Sequence, residues 1–147
     1  MLIDAVERIE ITQSMLLQLF EHARNELPYE AAALILGILK SSVKDGLRAI
    51  GEKIIFTENV DKSVTTFSIQ PEILYQAYME AEKTNRMIVA IFHSHPAPPK
   101  PSSTDLLFMR LNPCVWIIAG INEDEVKAYQ LRKGELHKVD LIITTNR

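Results

Sequence analysis

Six apolar residues, Met87 to Phe92 (MIVAIF), run directly into His93-Ser94-His95 and stop at a proline-rich loop, Pro96 to Pro101. An apolar run of that length, bounded in that way, predicts a buried strand. Side chains at i and i+2 of a strand share a face. His93 and His95 therefore stand side by side at the end of a stiff, buried element. The loop returns the chain, and a helix can start after Ser102. Ser102 with Asp105 three residues on has the spacing of a capping box. Asp105 then falls in the first turn of a helix that comes back over the strand end. A chain so arranged needs a sheet with a helix laid against it, which predicts a mixed α/β (α+β) domain.

The remaining elements can be read around this centre. Arg8 to Thr12 alternates and predicts a short strand. Gln13 to Glu26 carries Met15, Leu16, Leu19, Phe20 and Ala23 at helical spacing, with Thr12 as N-cap and Pro28 as a stop. Glu30 to Leu39 (EAAALILGIL) is an apolar run opened by one acid; Ile35, Ile38 and the interior Gly37 favour a strand over a helix. Asp45-Gly46 signals a turn, with Leu47 to Thr57 as the return strand. Glu58 to Thr66 is polar and reads as a loop, and Phe67 to Ile69 as a brief strand. Pro71 suits the first turn of a helix running to about Thr84. Strands are expected over Val115–Ile121, Val126–Arg132 and Leu136–Thr144, joined by turns at Asn122–Glu125 and Lys133-Gly134.

The 147 residues suit one domain, 1–147, long enough to bury a core without metal or disulfide staples. A metal in such a chain is functional rather than structural. The net charge of −3, with no Lys/Arg-rich run, lacks the footprint of a nucleic-acid binder. Cys114 is the lone cysteine, so neither an internal disulfide nor a Cys-rich zinc cluster can form. It reads as a packed small residue, and Trp116 as core. His22 is expected on a solvated helix face and His137 near a turn. There is no signal-peptide pattern and no stretch of about 18 apolar residues, so no membrane span. The expectation is a soluble, cytoplasmic protein.

Two neutral imidazoles and one carboxylate make a suitable ligand set for zinc and leave a fourth position for water, the mark of a catalytic site. Zinc lowers the pKa of its water to about 7 and polarises a carbonyl. A base must still carry the proton to a leaving amine. Glu30 is the candidate, because a charge at the mouth of an apolar segment is costly without a partner. For it to serve, its strand must lie beside Met87 to His95. Ser102 can donate a hydrogen bond to an oxyanion, worth about 2.7–4 kcal/mol, or simply cap its helix, worth about 1 kcal/mol. Activity should fall in acid, where protons compete with zinc for both imidazoles, and with chelators.

An upstream Glu, then His-Ser-His-Pro, then Ser-x-x-Asp resembles the JAMM motif of the MPN-plus metalloproteases. The segment Pro28-Tyr-Glu30-Ala-Ala-Ala-Leu-Ile-Leu-Gly37 is similar to that family's Glu-containing block, and the likeness extends from about Arg8 to Ile143. The resemblance implies a curved mixed β-sheet flanked by helices, cytidine-deaminase-like. It implies one zinc per chain on His93, His95 and Asp105, Glu30 as general acid/base and Ser102 stabilising the intermediate. It implies cleavage of isopeptide or related amide bonds to the C-terminus of ubiquitin or ubiquitin-like, sulfur-carrier-type proteins. Such a protein or its conjugates would be the partner, with homo- or hetero-oligomers left open. In the family a loop after the hairpin helps hold the substrate tail; here that is Asn59 to Thr66.

One departure is visible. Six residues separate His95 from Ser102, where the family usually has seven. Starting instead from Ser103 puts Leu106, not an acid, in the aspartate position, so the loop is read as one residue shorter with Ser102-x-x-Asp105 intact. This bears on loop shape and substrate fit more than on metal binding. The loop also lacks the cysteine that some eukaryotic members carry. Few residues follow Asp105 and strands take most of them, which points to a compact, prokaryotic-type member. The competing reading is a non-catalytic MPN scaffold; its relatives usually lack the ligands that this chain keeps. A barrel amidohydrolase needs more than about 200 residues, and no His-Glu-x-x-His or Pro-Cys-x-x-Cys occurs.

Overall fold

The computed structural model describes residues 5–58, 69–96, 98–122 and 124–145. Their elements are β1 (Arg8–Thr12), α1 (Gln13–Glu26), β2 (Ala32–Ser42), β3 (Gly46–Thr57), α2 (Pro71–Lys83), β4 (Met87–His95), α3 (Ser103–Leu111), β5 (Val115–Gly120), β6 (Glu125–Arg132) and β7 (Glu135–Thr144). The expected mixed domain, a curved sheet with flanking helices, is what forms. The curvature goes further than expected. The strands run β1-β3-β2-β4-β5-β6-β7, and β1 pairs in parallel with both β3 and β7, so the sheet closes on itself. The last part of the polar loop, Asn59 to Thr66, and most of the brief strand expected at Phe67–Ile69 lie outside the described residues; Ile69 itself is not in a strand.

Local signals explain the boundaries. The Thr12 hydroxyl accepts from the Met15 amide at 3.1 Å and caps α1. That helix stops before Pro28, whose ring disfavours helical geometry at Leu27. Pro71 opens α2, where a missing N–H costs nothing. Gly46 (φ 71°) turns the β2–β3 hairpin, and Lys133 and Gly134 (φ 50° and 81°) make the two-residue β6–β7 turn that suits the strand twist.

The sheet buries both faces. Val6, Ile9, Ile11, Ala33, Ile35, Phe92 and Ile117 pack with Met15, Leu19, Phe20 and Ala23 of α1. Leu34, Leu36, Ile91, Trp116, Ile118 and Tyr129 pack with Ala77 and Ala81 of α2 and Met109 of α3. A fully buried side chain of this size contributes about 1.5–3 kcal/mol. That is why β2, β4 and β5 read as continuous apolar runs rather than alternating ones. Cys114 lies in the second layer, where burial pushes its thiol up to about 12, so it is packed and unreactive as expected.

Gly37 is required by close approach. The β2–β3 register shifts between Leu36 and Gly37, and a β-carbon on Gly37 would lie 1.9 Å from the Ile50 carbonyl oxygen. Backbone would have to part for any side chain there. Gly37→Ala is therefore expected to destabilise by about 3 kcal/mol or more, read by urea titration; a variant within about 0.5 kcal/mol of wild type would show that the bulge yields easily.

Candidate metal centre

β4 lies between β2 and β5, with His93 opposite Ala32 of β2 and Ile118 of β5. The strand beginning just after Glu30 therefore does lie beside the histidine strand. A two-way clasp secures this end: Ser94 N donates to Ala31 O at 3.0 Å, and Ala31 N donates to Ser94 Oγ at 2.9 Å. Alternation sends Ser94 to the opposite face from the histidines, toward the incoming chain. Ser94 thus anchors the residue next to Glu30, a role that rests on the pairing of the two strands.

His93 and His95 share the face covered by α3. Their rings are perpendicular, with centroids 4.5 Å apart. Asp105 Oδ2 is 3.2 Å from His93 Nε2 and 3.0 Å from His95 Nε2. The capping box forms in full: Asp105 N donates to Ser102 Oγ at 3.1 Å, and Ser102 N donates to Asp105 Oδ2 at 2.8 Å. The box aims one carboxylate oxygen at both imidazoles. Behind the rings, His93 Nδ1 lies 3.2 Å from Glu30 Oε1, and His95 Nδ1 makes a long 3.5 Å contact with the Pro98 carbonyl.

Glu30, His93, His95 and Asp105 are all buried, exposed by 4%, 0%, 7% and 3%, whereas Ser102 is exposed at the rim. Charges this deep are costly unless they stabilise one another. Burial alone would raise the Asp105 pKa, but hydrogen bonds with His93 and His95 hold it well below the usual carboxylate range. Burial likewise lowers the pKa of His93, but its contacts with Asp105 and Glu30 outweigh that and raise it.

The donor chemistry fits a metal ion. Glu30, His93 and His95 offer ligand atoms within 4.8 Å of one another. Asp105 Oδ2 lies 3.2 and 3.0 Å from Nε2 of His93 and of His95. A tetrahedron with bonds of 2.0–2.1 Å has edges of about 3.3 Å. The two edges that Asp105 makes with the histidines, 3.2 and 3.0 Å, are near that size already. Each Nε2 faces Asp105 and each Nδ1 faces an oxygen, the arrangement that orients metal-binding histidines.

Other polar side chains lie apart. His22 is not on a solvated face: it is half-buried, its ring tilted against Phe56, with Nε2 3.0 Å from the Ala32 carbonyl. The β2 chain end draws it in. His137 lies on β7, 3.8 Å from Glu135. Asp124, in the β5–β6 turn, meets Arg24 at 3.1 Å.

Residues 12–132 match the family model described as prokaryotic homologs of the JAB domain. The chain belongs to that family. The matched span takes in Glu30, both histidines, Ser102 and Asp105, so the likeness to JAMM and MPN-plus proteins read from the motif is borne out. A desampylase of Pyrococcus furiosus is 39% identical over 94 residues, 62% of this chain and 66% of the desampylase. The match thus spans just under two thirds of that relative. The solution structure of a Desulfitobacterium hafniense protein superposes with a TM-score of 0.80 at 26% identity, covering 94% of each chain. A Salinibacter ruber protein, at 22% identity, TM-score 0.65 and 92% and 90% coverage, shares the fold. Among the described residues of this JAB-domain chain, no helix is long and apolar enough to cross a membrane.

Proposed function

We propose that this chain is a zinc-dependent isopeptidase or amidase that cleaves bonds to the C-terminus of ubiquitin or a ubiquitin-like, sulfur-carrier-type protein. One observation carries the reading: a single Asp105 oxygen lies 3.0–3.2 Å from one nitrogen of each histidine, with every donor buried. Family membership and the similarity to a desampylase support the substrate class. A scaffold without catalysis gives no physical reason to bury two carboxylates against two imidazoles.

In this reading His93, His95 and Asp105 hold the zinc. When bound, zinc supplies an acidified water and a Lewis acid for the scissile carbonyl. Glu30 takes the proton from the attacking water and passes it to the leaving amine. Its carboxylate and both histidines offer ligand atoms within 4.8 Å of one another, which keeps it beside the proposed centre. Ser102 keeps both of its roles: its oxygen accepts from Asp105 N, and its hydroxyl proton is left to donate to the developing oxyanion.

The test is cleavage of a ubiquitin-like conjugate before and after zinc is stripped and restored. Activity should vanish and return; cleavage that persists in zinc-free protein would overturn the reading. Ser102→Ala is expected to lower kcat about 10²–10³-fold through the lost oxyanion donor. A helix cap alone would cost about 1 kcal/mol of stability and leave kcat near wild type.

A further inference from the structure

We infer that Trp116 and Tyr129 are positioning residues that tether both ends of α3, and so set Asp105 and Ser102 against the histidines. The inference rests on the metal centre proposed above. Trp116 of β5 and Tyr129 of β6 are cross-strand partners, exposed by only 1% and 4%. The Tyr129 hydroxyl donates to the Pro99 carbonyl at 2.9 Å, in the loop that leads into Ser102. Trp116 Nε1 donates to the carbonyl of Asn112, the C-cap of α3, at 3.0 Å. The Trp116 ring also meets His93 nearly edge-on, with centroids 6.0 Å apart at 85°.

The helix needs such anchors. It has nine residues, and of these only Asp105 and Met109 are buried. A helix that short is marginal by itself and takes its position from its surroundings. On the sheet side Met109 packs in the same buried cluster as this aromatic pair. Phenylalanine would fill nearly the same space at position 129. A hydroxyl is tolerated there because it reaches a partner, and that partner lies in the loop joining His95 to Ser102. Losing the bond frees the loop, and α3 can then shift by fractions of an ångström. The Asp105 contacts of 3.0 and 3.2 Å leave little room for that.

Tyr129→Phe tests the tether. Zinc affinity by chelator competition, kcat and KM are compared for wild type, Tyr129→Phe and Tyr75→Phe, the last losing a hydroxyl from an exposed residue of α2. The tether predicts a zinc dissociation constant raised about tenfold, at the low end for loss of a partner that orients a ligand. It also predicts a lowered kcat with KM little changed, and no effect in Tyr75→Phe. Trp116→Phe, which frees the other end, should act in the same direction. Wild-type zinc affinity and kcat in Tyr129→Phe would overturn the inference even if the variant melts earlier. Hydrogen exchange over 103–111 in metal-free protein separates this failure from failure of the metal centre. A wild type that takes up no zinc sinks the metal centre. Faster exchange confined to that helix in Tyr129→Phe would still support the tether, and unchanged exchange would overturn it.

Discussion

Glu30→Gln is expected to lower kcat for conjugate cleavage by about a thousandfold, while zinc stays near one per chain. Glutamine keeps the shape of the side chain, and its amide oxygen can still accept from His93 Nδ1, 3.2 Å away in the native site. Ring orientation and metal affinity should therefore survive. What glutamine cannot do is take a proton from water and return it to an amine. The measurement is single-turnover cleavage alongside zinc content on the same samples. Activity within a few-fold of wild type would remove Glu30 as the base. Loss of both zinc and activity would make it chiefly the orienting partner of His93, a role whose removal costs about 10–100-fold in metal affinity.

The second large effect is expected at Asp105. Asp105→Ala removes the oxygen that both histidines face and the acceptor for the Ser102 amide. Zinc affinity should fall by more than about a hundredfold, the upper end for losing a mere outer partner, and cleavage should be lost with it. The metal-free fold loses the helix cap, about 1 kcal/mol, and the buried partner of both imidazoles. Zinc per chain after dialysis, with a thermal melt of the metal-free protein, reads the two separately. If Asp105→Ala kept wild-type zinc affinity, the ion would have to be held by the Glu30/His93/His95 group instead.

The two halves of the site differ in how far they could be read in advance. His93-Ser94-His95 and Ser102-x-x-Asp105 are local patterns. Strand alternation puts two imidazoles on one face, and the capping box aims the aspartate, with no need of distant contacts. The apolar runs, the proline and glycine punctuation and Thr12 likewise marked most elements to within a residue or two, because those signals act over a few positions.

Tertiary structure decided the rest. Glu30 reaches His93 because β2 pairs antiparallel with β4 with Ala32 opposite His93, fastened by the Ala31–Ser94 clasp across 63 residues of chain. Periodicity says which face a residue occupies, not which strand lies beside it. Closure of the sheet through β1 and β7 joins elements more than a hundred residues apart, and the contact of Arg24 with Asp124 spans one hundred. The bond from Tyr129 to Pro99 and the burial of His22 depend on those same long-range pairings. By itself the sequence determined the elements, the two imidazoles and the capped aspartate, because each is a matter of neighbours along the chain. Only the folded chain brought the second carboxylate to them and enclosed all four donors, because that depends on strand register and sheet closure, which no local pattern encodes.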